Sequence, residues 1–294
     1  MIPERRKEIS SRSQLEHIME DIKSCPHQKE NSGLDLSDTN LFGIDLTGID
    51  LSGSRLRGAT FVCCNMSEAK LKNCDMRDVR ICRCSMKGAD LSGSLISGAY
   101  IDICNMDAMN LAASILDCET IIHCSVKGSS LRNCSFMAAE FRHCDFTGSL
   151  FIGAIFDATL MDKTEDGINN FESCDFTGAY FHSAMMRAAW LKNACMKKIY
   201  ADSIDISGSG MWGVRMKGAV LMDLTGDFIQ PDKDCFEGAE YVGFASKKEK
   251  QQISGPGSKD GPVSDGSTAS ESKAAPTGKA AVGDTAAPAG GAAA

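Results

Sequence analysis

The sequence predicts a solenoid, a chain wound into stacked coils of fixed length, and a five-residue period carries this prediction. From Leu36 to Leu221, 36 of the 38 positions spaced five residues apart are Leu, Ile, Met, Val or Phe, with only Asp166 and Ala201 departing from the pattern. The residue two positions earlier is mostly small. Helices repeat about every 3.6 residues and strands about every two, so this period requires a chain that turns a corner at each repeat. Units this short cannot bury their own apolar side chains and must share a core with neighbouring coils.

Composition narrows the class of protein further. The 28 Gly and 14 Cys among 294 residues exceed what an average globular core uses, and 39 acids against 31 bases give a net charge of -8. Nucleic-acid binding is therefore not expected. No apolar run is long enough to span a membrane, and the start of the chain carries no secretion signal. The cysteines follow the repeat and not a pairing scheme, so we expect a reducing, cytoplasmic compartment, with non-classical secretion left open.

Three segments make the pattern specific. Ala-Asp-Leu-Ser-Gly at 89–93 and Cys-Asp-Phe-Thr-Gly at 144–148 and 174–178 resemble the A(D/N)LXX motif of the pentapeptide-repeat family, and the resemblance extends over 34–223. It implies an all-β, right-handed quadrilateral β-helix in which four pentapeptides form one coil. The large central residue and the small residue two before it would then point inward, and the other three positions outward. The repeats amount to about nine coils.

The ends of the repeat array should be capped, because a bare solenoid end exposes its core. Ser13 and Glu16 fit a capping box, and apolar residues follow at helical spacing. We therefore expect an N-terminal segment at 1–33 with a capping helix at about 13–25, followed by the β-helix at 34–223.

The C-terminal part of the chain divides into three further predictions. The motif is lost at about 162–170 while the frame resumes unshifted, which indicates either a bulged loop or a degenerate turn that is still coiled. A weak return of the repeat predicts a C-terminal cap at 224–245. Residues 246–294 contain no aromatic residue and are rich in Gly, Ala, Ser, Pro and Lys, which predicts a disordered tail.

The cysteines are predicted to be core residues. Those separated by four repeats should form one inner column, and Cys74, Cys134 and Cys174 a second. Because Ala and Ser occupy equivalent positions, Cys serves there as a small buried apolar residue. Five consecutive Phe centres should stack as ladders in the same core. The predicted structural core contains Cys64, Cys84, Cys104, Cys124, Cys144, Phe136, Phe141, Phe146, Phe151 and Phe156.

No catalytic residue, metal ligand or cofactor is predicted. His123-Cys124 and His143-Cys144 suggest a zinc cluster, but this register points each Cys inward and each His outward, so the four groups cannot converge. Phosphate-binding and nucleophile motifs do not occur, and an outward side chain on a rigid coil lacks a water-excluding pocket. The sequence therefore predicts a protein that is not an enzyme.

The outward position before each centre suggests where a partner binds, because it is polar in the first half and apolar later. Exposed Tyr and Trp are typical of association surfaces. Leu160, Tyr180 and Tyr200 are expected on one face, with Leu150 and Trp190 on the opposite one. Alternatively, the 162–170 loop or the 224–245 segment covers this region. The candidate partner surface consists of Leu150, Ile155, Leu160, Tyr180, Met185, Trp190 and Tyr200.

Three classes of function follow. The leading prediction is a non-enzymatic interaction scaffold that binds a protein partner, or a second copy as a homodimer, through the C-terminal half. The family resemblance adds a DNA mimic that modulates an enzyme such as gyrase, although residues 34–223 carry a net charge of only about -5 and a basic stretch at 77–87. The third class is a bacterial effector delivered to a host cell.

Overall fold

The chain forms a parallel β-solenoid of about nine coils, which confirms the predicted fold class. The computed structural model describes residues 8–23, 33–162, 167–226, 232 and 234–242. Along most of the array each outward residue pairs with the residue 20 positions later, and four such columns run side by side. One pair from each column is Asp45 with Asn65, Asp50 with Lys70, Arg55 with Asp75, and Thr60 with Arg80.

Short strands form where two of the four sides become regular enough to make sheets. A seven-stranded parallel sheet follows the order β1 to β7, and a five-stranded parallel sheet the order β12 to β8. The strands are β1 (Glu8–Ile9), β2 (Asn40–Phe42), β3 (Thr60–Val62), β4 (Arg80–Cys82), β5 (Tyr100–Asp102), β6 (Thr120–Ile122), β7 (Glu140–Arg142), β8 (Ile155–Asp157), β9 (Tyr180–His182), β10 (Tyr200–Asp202), β11 (Val220–Met222) and β12 (Glu240–Val242).

The backbone conformation at the corners of each coil explains why small and polar residues recur in the repeat. The second residue after each centre adopts a left-handed conformation, as at Gly98 with φ of 72° and Asn73 with φ of 54°. Where Asp or Asn precedes a centre, its side chain in most cases accepts a hydrogen bond from the amide two residues on, as Asp90 Oδ1 does from Ser92 N at 3.1 Å. The left-handed corner recurs along the array, and the Asp or Asn turn stabilises part of these corners.

Stacked Phe rings fill the central coils. Phe151 and Phe176 lie nearly parallel with ring centroids 4.9 Å apart, and Phe156 stacks on Phe181 at 4.8 Å. Around one coil the rings meet edge to face, as Phe146 does with Phe151. These side chains are all buried, so the ladder spacing matches the rise from one coil to the next.

A helix and a short strand close the N-terminal end. Helix α1 spans Arg12–Lys23, and Leu15 on it is fully buried. The Ser11 hydroxyl accepts a hydrogen bond from Gln14 N at 3.2 Å, so Ser11, and not the predicted Ser13, is the cap. Two overlapping capping boxes exist in this segment, and spacing alone does not choose between them. The pairing of β1 with β2 was not predicted.

One coil is longer than the others. Ile155 pairs with Tyr180 and Asp145 with Asn170, so this coil contains five pentapeptides in place of four. Residues 163–166 of the predicted loop lie outside the described residues. An insertion of one whole pentapeptide leaves the five-residue frame intact but moves every later residue by one side of the solenoid. This shift decides which outward residues share a face.

The described part of the 224–245 segment continues the solenoid at its C-terminal end. Tyr241 of β12 pairs in register with Leu221 of β11, and Met216 N donates to the Cys235 carbonyl at 2.9 Å. The predicted tail at 246–294 lies outside the described residues. Within the part of the chain that is described, no helix is long and apolar enough to cross a membrane.

Candidate partner-binding surface

The seven residues predicted as one partner surface lie on all four sides of the solenoid. Ile155, Tyr180 and Tyr200 share one column. Leu160 and Met185 form a pair on the next side along the chain. Trp190 and Leu150 occupy the third and fourth sides.

The expected grouping of Leu160 with Tyr180 and Tyr200 is wrong. The extra pentapeptide places Ile155 beside Tyr180, whereas Leu160 pairs with Met185. The same shift separates Cys174 from the column of Cys74 and Cys134, because the residue after Cys174 pairs with Leu150. Counting in steps of four repeats fails across this coil, since it is one repeat longer.

One side carries a continuous apolar column, and we call it the tyrosine face. It consists of the outward side chains of 95–98, 115–118, 135–138, 155–158, 180–183, 200–203 and 220–223. The position before the centre is apolar or aromatic in every one of these coils except at Ser135. These column residues are Leu95, Ile115, Ile155, Tyr180, Tyr200 and Val220. The first five are between 36% and 43% exposed, which is high for large apolar side chains.

Sequence reasoning missed the lower members of this face. Leu95 and Ile115 lie outside the C-terminal half in which the apolar positions were sought, yet they are paired in adjacent coils of the same column. Met137, at 47% exposure, follows the centre and does not precede it. Sorting every outward position by column would have found all three residues.

Aromatic stacking orders the upper part of the tyrosine face. The rings of Tyr180 and Tyr200 are parallel to within 5°, with centroids 5.2 Å apart. The Tyr200 hydroxyl donates to Met222 Sδ at 3.4 Å. Two amphipathic rings held in this way offer a flat, preorganised contact area at little further cost in side-chain entropy.

A charged column runs beside the aromatic one. His182 Nδ1 lies 2.8 Å from Asp157 Oδ1, and its Nε2 lies 3.9 Å from Asp202 Oδ2 in the next coil. The hydrogen bond to Asp157 raises the pKa of His182 above its ordinary value, and the charges of both carboxylates act in the same direction. The histidine thus joins two acids of adjacent coils.

A second exposed aromatic area lies on the side that carries Trp190. The Trp190 ring covers Gly210, and Lys192 Nζ lies 5.7 Å from the centroid of the Trp212 ring. Trp190 also lines a cleft of about 390 Å³ together with His143 and Ile168, next to the long coil. Part of this area therefore faces the predicted loop, unlike the tyrosine face.

The cysteine columns are part of the core. Cys64, Cys84, Cys104, Cys124 and Cys144 are buried one above another, with the Cys84 sulfur 3.3 Å from Cys64 N. Hydrogen bonding to the Cys104 sulfur and burial raise the pKa of the Cys84 thiol to about 12. His123 and His143 point outward and contact each other, with ring centroids 5.3 Å apart. Among the described residues, no group of His, Cys, Asp and Glu is arranged to hold a metal ion.

Glu119 is an exception to the small inner residues, and sequence reasoning missed it. It lies in the inner column between Ala99 and Ala139, is 1% exposed, and neither carboxyl oxygen hydrogen-bonds to another described residue. Burial raises its pKa well above the ordinary value, which favours the neutral form of the side chain. A charged residue in a column of small ones was the signal in the sequence.

The coil geometry defines the class: a repeat solenoid with a packed core and four outward faces. Comparison then gives the family. The sequence profile of "Pentapeptide repeats" matches residues 35–73, 61–98 and 121–157, with 8 copies of the repeat. The same period continues through the remaining described coils, and the chain is a pentapeptide-repeat protein. Among curated proteins, no sequence matches this chain significantly.

Solved structures of pentapeptide-repeat solenoids are similar to it at low identity. A trypsin-treated form of QnrB1, a plasmid-mediated fluoroquinolone resistance protein, is 18% identical with a TM-score of 0.48, covering 64% of this chain and 89% of its own. HetL, involved in heterocyst differentiation regulation in the cyanobacterium Nostoc, is 17% identical with a TM-score of 0.29, covering 69% and 95%. Because these values are low, the fold assignment rests on the chain's own geometry and on the family match.

Proposed function

We propose that this protein is a non-enzymatic interaction scaffold whose tyrosine face binds a protein partner. The observation that carries the proposal is the column of outward apolar and aromatic side chains from Leu95 to Val220, which is interrupted at Ser135 and of which the members from Leu95 to Tyr200 are exposed. Exposed apolar surface in a continuous patch is typical of interaction sites, whereas scattered apolar residues are not. The rigid coil presents this patch without the cost of ordering a loop.

The alternative that another part of the chain covers the patch is not favoured by the described residues. Glu240–Val242 continues the same sheet at its C-terminal edge and does not return across Tyr180 or Tyr200. Both tyrosines keep more than a third of their surface exposed. The described residue Ile168 of the long coil lines a cleft together with Trp190, on a different side.

DNA mimicry is the second candidate, and the charges support it less well. A mimic needs a dense run of unpaired acids, but several acids of the first coils are paired with bases. Asp35 Oδ2 accepts from Arg55 at 2.9 Å, and Asp75 Oδ2 accepts from Arg77 at 2.6 Å. A gyrase supercoiling assay with and without quinolone tests this candidate. The effector hypothesis stays a prediction from the sequence.

The test of the proposed function compares two faces. The full chain is immobilised alongside an Ile155→Ser/Tyr180→Ser variant and a control with Trp212→Ser on another side, and proteins bound from a lysate of the source cells are identified by mass spectrometry. We expect a protein that the wild type and the control retain and the tyrosine-face variant loses. Identical binding by all three would refute the proposal. Light scattering on the same samples shows whether the partner is a second copy.

A further inference from the structure

The tyrosine face changes its charge character along the solenoid. The same side of the first three coils contains Arg55, Arg57 and Arg77, and these pair with Asp35, Asp78 and Asp75. From residue 95 onward the face contains no Lys or Arg, which the printed sequence shows directly. Its charged side chains there are acids and the one histidine described above.

Four acids therefore flank the apolar column without a Lys or Arg partner on the described chain. Asp117, Asp157, Asp202 and Asp223 all occupy outward positions of this face, and the first three lie in the column immediately after the centre. Asp117 accepts a hydrogen bond from Ser135 at 2.6 Å, and Asp157 and Asp202 flank His182. An apolar stripe bordered by an acidic stripe complements a partner with an apolar stripe bordered by basic residues.

The spacing of the column favours a helix as the partner. Its residues repeat at the coil rise of about 4.8 Å, close to the helical pitch of about 5.4 Å but well below the spacing of about 6.7 Å between same-face residues of a strand. The column from Leu95 to Val220 spans six coil steps, or about 29 Å, which equals the length of a helix of about 20 residues.

The charges also argue against a second copy on this face. A two-fold interface brings the same patch of both subunits together. Asp117, Asp157, Asp202 and Asp223 of one copy would then approach the same four acids of the other, with no Lys or Arg on either patch. Like charges in contact disfavour such an interface, whereas Lys and Arg from a partner remove the repulsion.

We propose that the tyrosine face from residue 95 to 223 binds an amphipathic, basic helix of a partner protein, with apolar side chains on the Leu95–Val220 column and Lys or Arg on the adjacent acids. This inference rests on the proposed function and specifies the chemistry of the partner. Tyr180 and Tyr200 supply the flat centre of the contact, and the acids set its orientation.

The test uses three helical peptides of equal length, each long enough to span the column. The peptides differ only in the residues that flank their apolar stripe. Each has Leu at helical spacing, and the flanking stripe is Lys, Gln or Glu. Binding to the full chain is measured by fluorescence anisotropy at low and high salt. We expect the Lys peptide to bind most tightly, the Gln peptide more weakly and the Glu peptide not at all. An Asp157→Asn/Asp202→Asn/Asp223→Asn variant should weaken the Lys peptide about ten-fold and reduce its salt dependence.

Matched variants separate the possible outcomes. Ile155→Ser/Tyr180→Ser should abolish binding of the Lys peptide, and Glu172→Gln with Trp212→Ser on another side should leave it unchanged; circular dichroism establishes that each variant is folded. If all three peptides bind the wild type equally and only the Ile155→Ser/Tyr180→Ser variant loses this binding, the basic character of the partner is overturned. The proposed function then stays intact, because the tyrosine face still binds. The inference is also overturned if the Lys peptide does not bind, or if the wild type is a dimer that the Ile155→Ser/Tyr180→Ser variant dissociates.

Discussion

Tyr180 stacks on Tyr200 across one coil, with the two rings 5.2 Å apart and parallel to within 5°. The distance is close to the coil rise, so the backbone itself sets the stack and neither ring has to leave its column. Ile155 continues the column below them. In a solenoid of this kind, outward residues that are one coil apart in the sequence become neighbours on the same face.

The Phe ladder should dominate the stability of the central coils. Phe176 is fully buried, stacks on Phe151 and makes tilted contacts with three more Phe rings, so Phe176→Ala removes these contacts and leaves a cavity. We expect a loss of about 3–5 kcal/mol in the free energy of unfolding, measured by urea denaturation. Phe42→Ala is the matched control because Phe42 is 47% exposed, and it should cost less than about 1 kcal/mol.

Glu119 should destabilise the fold as pH rises. Because burial raises its pKa in the folded chain, the folded state keeps a proton that the unfolded chain releases above about pH 4.5, and the free energy of unfolding falls over that range. Glu119→Ala fits a column that already has Ala at 99 and 139. We expect this variant to be about 1–3 kcal/mol more stable at pH 8, with the gain shrinking at pH 4. Thermal unfolding at both pH values measures this, and a loss of stability at pH 8 would contradict it.

His182 should remain protonated to a higher pH than an ordinary histidine. Asp157 supplies the main cause, so Asp157→Asn should return the pKa of His182 towards 6.5. The contribution of this pair to stability is present below pH 6.5 and is lost as pH rises through the raised pKa. An NMR titration of the imidazole protons provides the measurement. An unchanged pKa in the variant would show that Asp157 is not the cause.

The buried thiols should resist alkylation. Burial raises the pKa of Cys74 to about 11 and that of Cys134 to about 12, and both side chains are inaccessible. Iodoacetamide at pH 8 should therefore label the exposed Cys63 and Cys118 first and the buried columns only after unfolding. Peptide mass spectrometry resolves the sites. Rapid labelling of Cys134 in the native chain would contradict the described core.

The period predicted the fold class and which residues point inward, because both depend only on spacing modulo five. It could not predict the faces after residue 162. The insertion equals one whole period, so the pattern of large and small residues continues as if nothing had been added, while Tyr180 moves from above Leu160 to above Ile155. Only the pairing of coils in space reveals that rotation.

Local ambiguities explain the other differences. Ser11 and Ser13 each begin a possible capping box, and in the structure Gln14 N donates to the Ser11 hydroxyl. Leu95, Ile115 and Glu119 were readable in the sequence, since each stands out within its own column. Leu95 and Ile115 were missed because the outward residues were compared between halves of the chain, and Glu119 because the small inner residues were not compared along their column.

The most direct test of the scaffold account is site-specific photo-cross-linking on two faces. A benzophenone amino acid replaces Tyr180 on the tyrosine face in one full-length variant and Trp212 on another side in a second variant. Both proteins are expressed in the source cells and irradiated. The account predicts a covalent adduct with a partner protein from position 180 and none from position 212. An adduct from position 212 with none from position 180 would contradict it.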